Sequence, residues 1–349
     1  MPIVKSLVQS GQYAVRALTR DPSNERFKTL QSYGLGLVES VTGTFASEDT
    51  LRATFRGAWG AFVNIDGFNS GEKTETFWTM RAWELAIEEG VQFFIYGNLD
   101  YWYKHSGFNP KIHGGHYDAK GRVGEFFLAQ NKDPKVHTLM RTALFTTSPY
   151  IDMTLGGATV FRPVVEGDAA VWRMPLKDGS ILFTVLEDCG VFAKWMFDHP
   201  DEADGLNLGV GFGYVTMQEY ARAYTKVTGH PARWEDIDID QHLVNSFGTL
   251  VDKPTGYNAD LTDPSTMTLR RNFSAFFEIW RQSTATNHYV EHNYALLDKI
   301  YPGRIKSAEQ WLRMENEKGI KAGLGDLWSR TKNLGSVLKI EVDGRKGSL

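Results

Sequence analysis

The sequence predicts an α/β fold: a Rossmann-like, doubly wound parallel sheet that lacks the usual first strand, with a second, smaller α+β domain. Over the first 150 residues, short segments rich in apolar and β-forming residues alternate with amphipathic helical segments, which is typical of a parallel sheet covered by helices. From about residue 151 the pattern loosens into longer loops, shorter strands and several helices, which indicates a second region. The sequence also opens on a helical pattern, where a doubly wound fold begins with a buried strand.

The elements follow from local signals. The first helix is predicted to begin at Pro2, a residue favoured in the first helical turn, and Gly11 is placed to end it. We predict strands near 13–20, 35–41, 60–66, 91–97 and 137–145. The helices between the strands are predicted to begin near Ser23, Ser47, Glu72 and Tyr117. Three glycines stand where helices should stop: Gly34, Gly57 and Gly90.

The start of the sequence affects nucleotide binding. In a nucleotide-binding fold, a buried strand and a Gly-x-Gly-x-x-Gly turn lead into the first helix, whose N-terminus holds the pyrophosphate. Neither precedes Pro2. We expect either that the natural chain is longer, which is the simpler account, or that another segment or subunit repairs the sheet. If the chain is complete as written, nucleotide affinity should be weak or absent because the glycine-rich loop is missing.

We divide the chain into three parts. Residues 1–154 form the Rossmann-like domain, to which residues 183–230 return through a helix at 187–198, a strand at 205–214 and a helix at 216–228. Residues 155–182 and 231–318 form the smaller domain. Residues 319–349, rich in glycine, are expected to be a loosely held tail.

Composition narrows the function classes. The 38 basic and 42 acidic residues give a net charge of −4, which argues against direct nucleic-acid binding. No apolar run has the roughly 18 residues of a membrane span. A single cysteine, Cys189, fits a reducing compartment, so we expect a cytoplasmic location, with the nucleus as an alternative. A His-x-x-Glu-His match at 288–292 stands alone, and we predict no metal site.

Three stretches resemble a known family: 15–22 (VRALTRDP), 116–127 (HYDAKGRVGEFF) and 140–145 (MRTALF) with Tyr150. They are similar to the second strand, a lysine-bearing helix and the last main strand of the NmrA-like group of atypical short-chain dehydrogenase/reductases. The resemblance extends over nearly the whole chain. It implies a Rossmann-like fold and a nicotinamide nucleotide, in a family that contains both NADPH-dependent reductases and nucleotide-sensing regulators.

The cofactor-binding residues are expected at the ends of strands. Arg20 ends the strand predicted at 13–20, which is similar to the second strand of the family. A guanidinium at this position accommodates a 2′-phosphate and so favours NADP(H) over NAD. Asn64 and Asn98 close two later strands, so their amides could face the nicotinamide half. The complete predicted set is Thr19, Arg20, Asn64, Asn98, Lys120 and Phe145.

The catalytic candidates lie on one predicted helix. Classical dehydrogenases place a tyrosine four residues before a lysine, so that both share a helical face and the cation lowers the pKa of the phenol. Here that spacing pairs Lys120 with His116, and Tyr117 stands three residues before the lysine. The resemblance implies that Lys120 holds the nicotinamide ribose or donates the proton. Tyr101, Trp102 and Tyr150 are predicted to contact the substrate.

The sequence therefore predicts an NADP-dependent reductase of secondary metabolism that acts on an aromatic or polyketide-like carbonyl or enone. Two alternatives stay open. One is a nucleotide-sensing regulator without turnover, acting on a protein partner or as a homo-oligomer. The other is a cofactor-independent isomerase or cyclase on the same fold.

Overall fold

The computed structural model describes residues 1–156, 160–256, 258–260, 262–284 and 286–334. In these ranges the strands are β1 Val15–Thr19, β2 Val38–Thr42, β3 Gly60–Val63, β4 Phe93–Leu99, β5 Arg141–Thr147, β6 Val164–Glu166, β7 Ala169–Arg173, β8 Ile181–Thr184, β9 Asn207–Gly209, β10 Gly211–Val215 and β11 Ala232–Glu235. The α-helices are α1 Pro2–Gln9, α2 Glu25–Ser32, α3 Glu48–Phe55, α4 Gly67–Glu88, α5 Trp102–His105, α6 Gly115–Asn131, α7 Pro134–His137, α8 Asp188–Asp198, α9 Pro200–Ala203, α10 Met217–Thr228, α11 Ile239–Phe247, α12 Leu269–Gln282, α13 Tyr294–Ile300, α14 Ala308–Lys321 and α15 Leu327–Lys332.

The predicted starts of the helices have identifiable caps. Asn24 Oδ1 accepts the Phe27 N–H at 2.8 Å, and Ser47 Oγ accepts the Thr50 N–H at 3.3 Å. The fourth helix begins earlier than predicted, at Gly67, but Gly71 interrupts it with φ 76°. A left-handed φ of this kind favours glycine, so the long regular part of α4 begins at Glu72, as predicted from the sequence.

The main sheet is parallel. Strands β3, β4, β5 and β9 are paired in that order, with Phe94 of β4 opposite Ala61 of β3 and Thr142 of β5. Strands β4 and β5 are buried along nearly their whole length, which is expected for the middle of a parallel sheet with helices on both faces. The α/β class and the parallel sheet predicted from the sequence are confirmed.

Strands β1 and β2 form a separate parallel pair, and no pairing among the described residues joins β1 to β3. Strands β1 and β3 nevertheless belong to one layer. On one face Leu18 and Val63 share a core cluster, and on the other face Val15 and Phe62 share another. In β1, Val15 N–H donates to Leu37 O toward β2, so the alternate residues direct their backbone groups toward β3. Among the described residues, the sheet is therefore divided between β1 and β3.

The second region has its own core. Strand β8 pairs antiparallel with β10, and β7 lies between β6 and β11. Three fully buried tryptophans, Trp172, Trp280 and Trp311, belong to the cluster that joins these strands to α12 and α14. Among the described residues, no helix is both long enough and apolar enough to cross a bilayer.

The predicted single strand at 205–214 is two strands. Residues 207–209 extend the main sheet beside β5, and residues 211–215 pair with β8. The His292 ring explains the break, because a Cβ at Gly209 or Gly211 would lie 2.5 Å or 2.9 Å from its atoms. His292 Nδ1 also accepts the Gly211 N–H at 2.9 Å, so these glycines serve close packing.

The described part of the predicted C-terminal tail is packed and not loosely held. Leu327 and Trp328 on α15 are buried, and Thr331 Oγ1 accepts the Tyr224 hydroxyl at 2.7 Å. The sequence does not predict α15 because the neighbouring glycines are typical of a loop, although the helix carries the apolar residues Leu327 and Trp328. Residues 335–349 of the predicted tail lie outside the described residues.

Candidate active site

A cleft of about 1990 Å³ runs between the two pieces of the sheet and under the second region. It is reached from the carboxyl ends of β1, β3, β4 and β5, the edge at which open α/β sheets bind ligands. Eight predicted residues line the cleft together: Thr19, Arg20, Asn64, Asn98, His116, Tyr117, Lys120 and Phe145. Tyr150, predicted to contact substrate, lines it as well.

Lys120 lies on the inward face of α6 and is only 8% exposed. Its Nζ donates to Asn64 Oδ1 at 2.9 Å and to the Ile65 carbonyl at 2.7 Å, both directly after β3. It also forms an ion pair of 2.7 Å with Glu75 Oε1 on α4. An ammonium has three N–H groups, and two of them thus have hydrogen-bond acceptors in the protein.

Glu75 was not predicted from the sequence. It is fully buried, and Oε2 has no hydrogen-bond partner among the described residues. Burial raises its pKa to about 7, although the neighbouring Lys120 cation acts in the opposite direction. A signal was present, since Glu75 shares the buried stripe of α4 with Thr79, Ala82 and Trp83. A carboxylate on the apolar face of a helix needs a buried partner.

His116 is held away from acid catalysis. Its Nδ1 lies 2.9 Å from Asn272 Oδ1 on α12, and its ring packs against Phe68 and Phe273. Burial lowers the pKa of His116 to about 4, so the imidazole is neutral at neutral pH. Asn272, which the sequence analysis also missed, fixes this ring from a residue 156 positions away.

Tyr117 presents a buried phenol at the cleft. Its ring contacts Trp102 and Phe276, and burial, together with the nearby Asp100 carboxylate, raises its pKa well above the ordinary value of 10. The phenol is therefore a neutral hydrogen-bond donor over the physiological range. Tyr150 behaves in the same way, since burial raises its pKa to about 12.

Asn98 is fixed inside the sheet. Its Nδ2 donates to Thr146 Oγ1 on β5 at 2.9 Å, and its Oδ1 is buried without a hydrogen-bond partner among the described residues. A Cβ at Gly124 would lie 2.6 Å from that Oδ1. Gly124 thus leaves room for the Asn98 side chain.

Two predicted substrate residues do not line the cleft. Trp102 is fully buried against Tyr117, Trp280 and Tyr289, in the core of the second region. Tyr101 faces α6, where its hydroxyl accepts from Arg122 Nε at 3.3 Å. The segment after β4 forms a short helical turn, α5, and its aromatic residues are used for packing.

The match to known proteins agrees with this geometry. Residues 2–284 match the NmrA-like family. The chain belongs to this family. Among curated NmrA-like relatives, the oxidoreductase FrzB of a Cladobotryum species is 42% identical over 262 residues, covering 67% of this chain and 72% of that protein. The oxidoreductase hkm9 of Aspergillus hancockii is 25% identical over 253 residues, covering 68% and 71%.

Solved structures share the NmrA-like fold. The negative transcriptional regulator NmrA superposes with a TM-score of 0.70 at 16% identity, over 94% of this chain and 96% of that one. NmrA has been crystallised with NAD and with NADP. The NADPH-dependent quinone oxidoreductase QOR2 of Escherichia coli superposes with a TM-score of 0.62 at 15% identity, over 89% and 93%.

The cleft of this NmrA-like protein fits a large ligand. Its volume exceeds the roughly 300–1,000 Å³ of common small-molecule pockets. The hydroxyl of Ser148 and the Oδ1 of Asn98, both on its wall, are buried without hydrogen-bond partners among the described residues.

Proposed function

We propose that this protein is an NADP-dependent oxidoreductase that reduces an aromatic or polyketide-like carbonyl or enone. The observation that carries the proposal is the position of Lys120, a buried ammonium at the carboxyl ends of the parallel strands, in a cleft that Tyr117 of the same helix also lines. A cation and a neutral phenol on one cleft wall suit a reaction in which a carbonyl oxygen gains negative charge and then a proton. The family membership and the oxidoreductase relatives support the same class of reaction.

The residues divide the work between the two ends of the cleft. The Arg20 guanidinium, at the end of β1, would bind the 2′-phosphate of NADP(H). Lys120 on α6 and Asn64, which follows β3, would bind the nicotinamide ribose. The cofactor, when bound, supplies the hydride. Tyr117 would donate a hydrogen bond, and finally a proton, to the substrate oxygen.

An aromatic substrate is favoured by the walls around Tyr117. Phe145 and Tyr150 line the cleft from β5 and the segment that follows it, and Phe161, Phe273 and Phe276 line it from the second region. Flat side chains of this kind stack on aromatic ligands at separations of about 4.5–7 Å. The second-region lining is mostly apolar, with Lys253 as its charged residue, and we assign this side to the substrate.

Calorimetric titration of the purified protein with NADPH and with NADH tests the proposal. We expect NADPH to bind more tightly than NADH, and Arg20→Ala to remove that preference. Arg313→Ala is the control, because Arg313 is an exposed arginine on α14 that does not line the cleft, and this variant should leave the preference intact. Consumption of NADPH with aromatic ketones or quinones then tests turnover. Equal affinity for the two nucleotides in the unmodified protein would exclude the assignment to NADP.

A nucleotide-sensing regulator is the second candidate. It is favoured by the structural likeness to NmrA, a negative transcriptional regulator that has been crystallised with NAD and with NADP. This candidate expects NADPH binding without turnover on any carbonyl, and a protein partner whose affinity changes with the nucleotide. Failure to bind either nucleotide would instead favour a cofactor-independent isomerase or cyclase.

A further inference from the structure

Glu75 is the fully buried carboxylate that faces the cleft lysine. It reaches Lys120 across the packing of α4 against α6, at 2.7 Å. Its other oxygen fills the space above Gly67, where a Cβ would come within 2.2 Å of Oε2. The interruption at Gly71 brings the first turn of α4 over this carboxylate. The fold thus encloses one carboxylate beside one ammonium.

We propose that Glu75 is a positioning residue whose buried carboxylate keeps Lys120 charged and fixed at the cleft wall, so that Lys120 orients the cofactor and does not supply the proton. The inference rests on the proposed function and refines it. The family resemblance implies two candidate roles for Lys120, orientation of the nicotinamide ribose and delivery of the proton. The Glu75 contact separates them.

Charge balance gives the reason. If Lys120 passed its proton to a substrate oxygen, the neutral amine would leave Glu75 as an unpaired, fully buried carboxylate. Removing one partner from a buried ion pair is strongly destabilising, so that transfer is disfavoured. The ammonium stays intact, and the proton must come from another donor on the cleft wall. Tyr117, a neutral phenol that lines the same cleft, is the residue placed to give it.

Other charged groups near Glu75 oppose its charge and do not replace Lys120. Asp66 and Glu72, from the start of α4, are both carboxylates and disfavour ionisation of Glu75. Tyr96 on β4 lies under the pair, with Lys120 Nζ 5.6 Å from its ring centroid. Lys120 and Glu75 therefore compensate each other's charge.

The test replaces the carboxylate by an amide of the same shape, Glu75→Gln. In this variant Lys120 would be a buried ammonium without a counter-charge, and burial would then favour the neutral amine. NMR of lysine labelled at the ε position, with Lys120→Met to assign the signal, follows the protonation of Lys120 directly. We expect Lys120 to lose its proton at a lower pH in Glu75→Gln than in the unmodified protein. No ligand is needed for this measurement.

Binding supplies the second readout. Between pH 8 and pH 10, above the pKa of Glu75, we expect NADPH affinity to be nearly constant for the unmodified protein and to fall roughly tenfold for Glu75→Gln, since a charge-assisted contact is lost. Glu84→Gln, which removes an exposed carboxylate from the same helix, is the control and should follow the unmodified protein. Glu75→Asp, which keeps the charge, should restore most of the affinity at pH 10.

The outcomes separate the two proposals. If Lys120 keeps its proton to the same pH in Glu75→Gln, the positioning role is overturned, whatever NADPH does. If the signal shifts but neither protein binds NADPH, the proposed function fails while the role of Glu75 in holding the charge stands. If Glu75→Gln does not fold, Glu75→Asp serves alone, with a smaller shift expected because its carboxylate is withdrawn by one methylene.

Discussion

Two buried carboxyl groups, Glu75 and Asp100, differ in whether a neighbouring cation compensates their charge. Glu75 has the Lys120 ammonium, whereas no ion pair of Asp100 is found among the described residues. Asp100 follows β4 and is 6% exposed, and its Oδ2 is buried without a hydrogen-bond partner among the described residues. Burial raises the pKa of Asp100 to about 7.

A raised pKa in the folded state predicts a pH dependence of stability. Between pH 3.8 and pH 7, the unfolded chain releases the Asp100 proton while the folded chain retains it, so the free energy of unfolding falls as pH rises. Asp100→Asn should lack this loss. Relative to Asp100→Asn, we expect the unmodified protein to lose on the order of 4 kcal/mol between pH 4 and pH 8.

Urea unfolding of both proteins at several pH values measures this difference. The exposed Asp168→Asn is the control, and it should run parallel to the unmodified protein. A constant difference between the unmodified protein and Asp100→Asn across the range would contradict the buried, protonated carboxyl.

At the residue scale, the sequence predicted those site residues whose position depends on local pattern. Lys120 follows from its helix, and Asn64 from the end of a strand. Glu75 and Asn272 were missed because their roles arise from contacts with Lys120 and His116, residues far away in the chain. Trp102 was misjudged for a related reason, since an aromatic residue in a loop pattern serves the core equally well.

Among the elements, helix α6 depends on two small residues for its position. A Cβ at Gly121 would lie 2.4 Å from Tyr101 Cα, and one at Gly124 would lie 2.6 Å from Asn98 Oδ1. The first contact is with backbone, which cannot rotate away. These glycines allow α6 to lie close to the end of β4 and thereby bring Lys120 to the cleft.

Gly121→Ala should therefore displace α6. We expect a loss of about 1–3 kcal/mol in the free energy of unfolding, the usual cost of overpacking, together with weaker NADPH binding. Gly213→Ala is the control, because a Cβ there meets nothing within 4 Å and Gly213 does not need a left-handed φ. Thermal and denaturant unfolding would measure both variants. Equal stabilities for the two variants would contradict the close approach.

The elements themselves were largely predictable. The first five strands lie within a few residues of their predicted positions, because apolar runs and turn residues delimit them locally. The division at Val210 was not predictable from the sequence, since it depends on His292 entering from the segment before α13. Pairing partners also lie outside local pattern, so the antiparallel match of β10 with β8 came only from the structure.

At the scale of the whole molecule, the divided sheet is the main feature. Strand β1 presents the backbone groups of Arg16 and Leu18 toward β3, while those of Ala17 and Thr19 are paired with β2. We expect the Arg16 and Leu18 amides to exchange with deuterium much faster than the Ala17 and Thr19 amides. Residue-resolved hydrogen exchange measures this contrast. Uniform protection along β1 would mean that another strand pairs with it in solution.

The division also affects how firmly the two cleft walls are joined. Backbone hydrogen bonds between strands fix their relative position, whereas side-chain packing alone tolerates small sliding movements. Arg20 stands on one wall and Lys120 on the other, and the strands behind them share a core without sharing a ladder. Among the described residues, the β1–β2 pair is thus joined to the rest of the sheet by side-chain contacts without a backbone ladder. A ligand long enough to reach both Arg20 and Lys120 would contact both parts of the sheet. Its binding would restrict their relative movement, which no backbone ladder among the described residues restricts.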